Sequence, residues 1–95
     1  MIKSSMYCDV NSDLIPSGKI LNVNASKYNF KDFTAIKENI LKDGGIDTCY
    51  KVDNFNGQIK HNASIYSEIT RMGVKLFSNQ PGIQLYTGNM MKSFY

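Results

Sequence analysis

Apolar and polar residues alternate with a period close to two along much of the chain, which is the pattern of β-strands that bury one face. Five short runs carry this pattern, and residues that favour turns separate them. The runs cover residues 20–23, 47–53, 59–69, 72–77 and 83–87. The chain is therefore predicted to be all-β, with antiparallel strands joined by turns.

One segment departs from the period of two. Three apolar residues between positions 32 and 42 have the spacing of one helical face, and they are Phe33, Ile36 and Ile40. Asp32 is a candidate N-cap, and Gly44 is a candidate stop after the last turn. At most a short helix near residues 32–42 is expected, inside a longer loop.

The composition is that of one soluble domain, residues 1–95. Of the 95 residues 42% are hydrophobic and 20% are charged, and no apolar tract is long enough to cross a bilayer. The net charge of +3 is small, and the eleven basic residues are scattered along the chain. Neither a nucleic-acid partner nor a membrane partner is expected.

The cysteines point to a reducing compartment. Cys8 and Cys49 have neither C-x-x-C spacing nor a nearby histidine, so they are interpreted as free, buried thiols of a cytoplasmic protein. A disulfide or a metal site is the alternative, and no metal or cofactor is expected. The first residues lack the apolar core of a secretory signal, and the sequons at Asn24 and Asn62 are interpreted as chance matches.

Residues 79–89 form the most informative stretch. A Pro-Gly corner precedes a short alternating strand, and a second glycine turn closes it. This arrangement holds Gln84 in a fixed direction on one side of a sheet. On composition alone, Gln84 would be an ordinary solvent-facing strand residue.

Residues 80–89 closely resemble the Pro-Gly-x-Gln-x-Tyr-Thr-Gly-Asn motif of the aldose 1-epimerase (galactose mutarotase) family. Residues 7–18 are similar to the family's Tyr-x-x-Val-x-x-x-Leu-Ile-Pro-Thr-Gly segment. Phe30 matches the phenylalanine of its Asp-Phe-Arg element, and residues 44–47 look like its Gly-Gly-Tyr-Asp-His element. These segments occur in the family's order and at about its spacing.

The resemblance implies an enzyme that interconverts the α and β anomers of free aldohexoses such as galactose and glucose by acid-base ring opening. It also implies that the strands belong to a large β-sandwich, the galactose mutarotase-like supersandwich. The family's acid is a histidine upstream of the matched segments, and its base is a glutamate downstream of them. Neither has a counterpart here, so the chain resembles an internal fragment without catalytic residues, and its apolar ending at residues 90–95 fits a truncated sheet.

Two sugar-binding positions carry over from the resemblance. Asp47 matches an aspartate that accepts hydrogen bonds from sugar hydroxyls, although it would otherwise be an ordinary turn aspartate. Gln84 matches the glutamine of the motif, and its amide can both donate and accept. Thr48 stands where the family usually has histidine, and Tyr86 lies in the motif, so both are candidates for shaping the pocket.

The other titratable residues are assigned no catalytic role. His61 lies between Lys60 and Asn62 in a strand expected to be exposed, and it is interpreted as a surface histidine. Glu38 and Glu68 match no catalytic position of the family.

There are two alternatives to the interpretation of the chain as a segment of an epimerase. One is a non-catalytic remnant with a carbohydrate-facing or purely structural role. The other is a small β-barrel that binds nucleic acid, but the basic and aromatic platform for that function is missing. As an isolated polypeptide the chain is expected to be inactive and poorly stable, and to self-associate through exposed strand edges.

Overall fold

Strands dominate residues 1–88, which are the residues that the computed structural model describes, apart from the side chains of Glu38 and Asn39. The all-β prediction is confirmed. In chain order the elements are β1 (Met6–Val10), β2 (Pro16–Asn22), α1 (Glu38–Lys42), β3 (Asp47–Lys51), β4 (Lys60–Tyr66), β5 (Gly73–Ser78) and β6 (Gly82–Tyr86). The apolar ending at residues 90–95 lies outside the described range.

Four of these strands form an antiparallel sheet in the order β2-β1-β3-β6. Strand β1 lies in its interior, yet it is absent from the five runs predicted from the sequence. All five of its residues are half-buried, so they provide no clean alternation between a buried and an exposed face. Strand β2 begins at Pro16, earlier than predicted, and all seven of its residues are exposed at the edge of the sheet.

Strands β4 and β5 form a separate antiparallel hairpin. The N-terminal segment joins it to the larger sheet, because Ile2 bridges to Ala63 before the chain enters β1. On either side of that bridge, the Lys3 amide donates to the Asn62 carbonyl at 2.8 Å and the Ser64 amide donates to the Met1 carbonyl at 2.9 Å. Residues 1–5 therefore connect the two sheets.

The core lies on one face of the four-stranded sheet. Buried apolar side chains come from the N-terminal segment, the loops and the strands, and they are Ile2, Val23, Phe30, Ile46, Tyr50 and Ala63. Tyr50 is the largest fully buried residue, and its hydroxyl donates to the Tyr28 carbonyl at 2.8 Å. That hydrogen bond satisfies a polar group that would be costly to bury alone.

The predicted helix is present but is reduced to residues Glu38–Lys42. The Gly45 amide donates to the Ile40 carbonyl at 3.0 Å, and Gly44 adopts a φ of +91°, so the glycine stop is confirmed. The proposed N-cap at Asp32 is wrong. The Ile40 and Leu41 amides both donate to the Lys37 carbonyl, so the helical turn starts next to Lys37 and several residues after Asp32.

The β4–β5 hairpin exposes apolar side chains. Ile65 and Val74 lie opposite each other in the register and are 69% and 65% exposed. Among residues 1–88, nothing packs over this pair closely enough to bury it. No helix within the described range is both long and apolar enough to cross a membrane.

Candidate functional site

Asp47 is the first residue of β3, and its position is fixed by the residues just before it. Gly44 and Gly45 have φ angles of +91° and +72°, which side chains with a Cβ rarely adopt. This left-handed turn leads into Ile46, which is buried in the core. Because successive side chains of a strand point to opposite faces, Asp47 then projects from the open face of the sheet.

Gln84 lies on the same open face, in the middle of β6. The register pairs Gln84 with Cys49 and Tyr86 with Asp47, so Gln84 and Asp47 are diagonal neighbours. The Gln84 Nε2 donates to the Asp47 Oδ1 at 2.7 Å, although the two residues are 37 positions apart in sequence. The structure thus brings together the two residues predicted to bind sugar.

Thr87 ties the ends of β3 and β6 together beside this pair. The Ile46 amide donates to the Thr87 Oγ1 at 2.8 Å, and the Thr87 amide donates to the Ile46 carbonyl at 2.9 Å. These bonds hold the backbone immediately before Asp47. Sequence reasoning missed this positioning role, and the only signal for it was the place of Thr87 in the motif.

The two pocket-shaping candidates lie on opposite faces of the sheet. Tyr86 lies opposite Asp47 on the open face and is partly exposed. Thr48 is 7% exposed and lies on the core face of β3, as Tyr50 does. Any influence of Thr48 on the open face must therefore pass through the packing of β3.

The geometry of the pair determines what it can bind. Only the NH₂ group of Gln84 can donate to a carboxylate, so the bond to Asp47 fixes the amide orientation and leaves the Gln84 Oε1 as an acceptor. Asp47 has two carboxylate oxygens. Within residues 1–88, a side chain donates a hydrogen bond to its Oδ1, and none donates to its Oδ2. Together the two side chains offer carboxylate and amide oxygens as acceptors for hydroxyl groups.

His61 is not the exposed histidine that the sequence predicted. It is half-buried on β4, where its Nε2 lies 2.6 Å from the Ser64 Oγ and its ring packs 5.3 Å from that of Phe77. Asn62 beside it is fully buried rather than exposed. The N-terminal segment covers this part of β4. The residues next to His61 in sequence gave no sign of this cover, so they suggested an exposed strand. His61 belongs to the other sheet and is not brought to Asp47.

Two tyrosines that lie in the core or pack against it have raised pKa values. Burial raises the pKa of Tyr50 strongly, and the neighbouring hydroxyls of Tyr28 and Tyr7 raise it further. Burial also raises the pKa of Tyr7, with smaller contributions from Tyr28 and Asp9. Neither group is a ready proton donor near neutral pH.

The pair lies on an exposed surface of the sheet. Two surface clefts, of ≈ 450 and ≈ 520 Å³, are lined by other residues, such as Lys3 and Asn62 in the first and Val74 in the second. Within residues 1–88, no three histidine, cysteine, aspartate or glutamate side chains lie together as a metal site. The arrangement is suited to polar recognition on one side of a ligand.

The chain is similar to known proteins in two comparisons. The family model described as Aldose 1-epimerase matches residues 1–95. A curated protein from Streptococcus thermophilus, described as Aldose 1-epimerase, is 28% identical to the chain over 87 residues, which is 90% of this chain and 25% of that protein. No solved structure matches the chain.

Proposed function

Since the chain belongs to the aldose 1-epimerase family, we propose that it is a section of a mutarotase in which Asp47 and Gln84 form part of the sugar-binding wall. The observation that carries this proposal is the 2.7 Å hydrogen bond between the two side chains on the open face of the sheet. Both stand at positions that match sugar-binding residues of the family motif.

Asp47 and Gln84 suit a free aldohexose because its hydroxyls are donors on adjacent carbons. A carboxylate accepts from two neighbouring hydroxyls more strongly than a neutral oxygen does. The Gln84 Oε1 accepts from a further hydroxyl, while its NH₂ group holds the carboxylate in place. A wall of this kind orients the ring relative to groups that move protons.

The proposed reaction opens the sugar ring by two proton transfers. A base removes the proton of the C1 hydroxyl, an acid protonates the ring oxygen, and reclosure after rotation inverts the anomeric centre. Among residues 1–88 no histidine and no described glutamate side chain lies beside Asp47. We therefore assign a binding role to the described residues. We expect the acid and the base of the reaction to come from outside them. We also expect the isomerisation to take place in the cytoplasm.

A ligand-observed saturation-transfer NMR experiment tests the binding function. Galactose and glucose are mixed with the chain, and glycerol serves as the control for nonspecific contact with hydroxyl groups. We expect transfer to the hexoses that an excess of unlabelled sugar competes away, and little transfer to glycerol. Equal transfer to all three compounds would contradict a hexose-binding wall.

A second candidate is a non-catalytic protein that uses the same pair of side chains, Asp47 and Gln84, to bind carbohydrate. Polarimetry on freshly dissolved α-galactose separates the two candidates. The chain on its own is expected to leave the relaxation at the rate in buffer. A complete protein that carries this sequence is expected to accelerate the relaxation if the mutarotase proposal holds, and a remnant would not.

A further inference from the structure

Cys8 and Cys49 lie opposite each other on neighbouring strands. Strands β1 and β3 are antiparallel, and their register pairs Met6 with Lys51 and Tyr7 with Tyr50. The pairing ends there, and continuing the register by one residue places Cys8 opposite Cys49. The two cysteines are therefore cross-strand neighbours, which their distance in sequence concealed.

Both thiols project from the open face of the sheet. Tyr50 points into the core, so its neighbour Cys49 points to the other side, as Asp47 does. The same alternation places Cys8 opposite to Tyr7, which packs against the core. Both cysteines are free and half-buried, so neither residue is sealed within the core.

The two side chains also influence each other. Burial raises the pKa of the Cys49 thiol, and interaction with the neighbouring Cys8 thiol raises it further. Residues directly opposite in an antiparallel pair have Cα atoms about 4.5–5.5 Å apart. A disulfide spans Cα separations of about 4.4–6.8 Å, so this register suits one without a large movement of the backbone.

We propose that Cys8 and Cys49 form a redox-modifiable thiol pair, which a low-molecular-weight disulfide converts to a cross-strand disulfide. One cysteine thiolate attacks a sulfur of the small disulfide, releases one small thiol and forms a mixed disulfide. The second cysteine then attacks the protein sulfur of that mixed disulfide and releases the second small thiol. The protein loses two electrons and two protons, and the small disulfide is reduced to two thiols.

Oxidised glutathione is the probe, and intact-mass spectrometry is the measurement. The folded chain is incubated with an excess of the probe, quenched with acid and weighed. The expected product is lighter than the reduced chain by the mass of two hydrogen atoms and has no thiol left for alkylation. Persistent glutathione adducts, a disulfide-linked dimer or two unreacted thiols would each overturn the proposal.

Two controls tie the reaction to the fold. The single variants Cys8→Ser and Cys49→Ser lack the second thiol, so each is expected to retain one glutathione adduct. In urea the wild-type chain should form the internal disulfide more slowly, by a factor on the order of ten. The unfolded chain must lose conformational entropy to bring the two cysteines together, whereas the fold already holds them close. An equal rate in urea would show that the strand register does not bring the thiols together.

Discussion

At the scale of single residues, Asp47 and Gln84 show how two paired strands place polar side chains together on the exposed face of a sheet. The two side chains are exposed, yet the 2.7 Å bond between them gives each a defined orientation. Such preorganisation matters because a ligand then meets acceptors that are already in place. Exposed polar side chains elsewhere in the chain serve as matched controls for the effect of this orientation on binding.

Replacing Asp47 by Asn is expected to weaken hexose binding by about fivefold. A hydrogen bond to a charged group contributes roughly 1 kcal/mol more than one to a neutral group, which is about a factor of five in affinity. Gln84→Ala is expected to have an effect of similar size. Titration by ligand-observed NMR measures both, with Asp13→Asn and Gln58→Ala as controls, because both of those side chains are exposed in turns. Equal losses in the controls would contradict a specific role for the pair.

Tyr50 should make the fold sensitive to alkaline pH. The pKa of Tyr50 is raised in the folded state, so as the pH rises above about 10 the unfolded chain loses this proton first. Ionisation then favours unfolding, and the free energy of unfolding falls with increasing pH. Tyr7 acts in the same direction.

The variant Tyr50→Phe separates this effect from packing. At pH 7 it is expected to unfold about 1 kcal/mol more easily, because the Tyr28 carbonyl loses the hydroxyl that donates to it. Above pH 10 its stability should decline less steeply than that of the wild type. Urea denaturation at several pH values measures both, and parallel declines would show that Tyr50 does not control the alkaline response.

At the scale of elements, the contact between β3 and β6 builds the candidate site. The pairing of these strands brings Asp47 beside Gln84, and Thr87 holds the end where both strands meet the loops. The glycine turn at residues 44–45 then sets the direction in which the chain enters β3. The site therefore depends on backbone hydrogen bonds as well as on its own side chains.

Thr87→Val is expected to lower both stability and hexose affinity. Valine has nearly the same shape but cannot accept the Ile46 amide at 2.8 Å, and an unsatisfied amide costs about 1–3 kcal/mol. Urea denaturation and the NMR titration measure the two effects. Thr34→Val is the control, since its hydroxyl makes an exposed bond to the Asp32 carbonyl. A variant with normal stability and affinity would remove the positioning role of Thr87.

The outer face of the β4–β5 hairpin should promote self-association. Substituting Ile65 by Lys is expected to reduce the apparent mass in sedimentation velocity at high concentration, while changing the free energy of unfolding by less than about 0.5 kcal/mol. Ile69→Lys is the matched control, because Ile69 is 95% exposed outside the hairpin strands. A wild-type chain that is monomeric at all concentrations would contradict this prediction.

At the scale of the whole molecule, alternation of apolar and polar residues located the strands but not their arrangement. The runs at 47–53 and 83–87 correspond to β3 and β6, whereas β1 was missed because its half-buried residues have no dominant face. A period of two also says nothing about which strands pair. The position of β1 between β2 and β3 follows from long-range contacts, so the cysteine pair could not be predicted.

The candidate site was predictable in its residues and not in its geometry. The family motif indicated Asp47 and Gln84, while their hydrogen bond results from a register that only the folded chain reveals. Local sequence likewise suggested an exposed His61, because the covering segment at residues 1–5 is distant in sequence. A sequence motif identifies the residue types of a site, whereas tertiary contacts determine which groups surround those residues.

The side-chain amide of Gln84 provides the most direct test of the sugar-binding wall. In ¹H–¹⁵N NMR spectra, titration with galactose is expected to shift the Gln84 Nε2 resonances in a saturable manner, since this group bonds to Asp47 at the proposed contact. The side-chain amides of Gln58 and Gln80 should stay in place, and Asp47→Ala should abolish the Gln84 shift. Unchanged Gln84 resonances at saturating galactose, or uniform shifts of all three glutamines, would contradict the account.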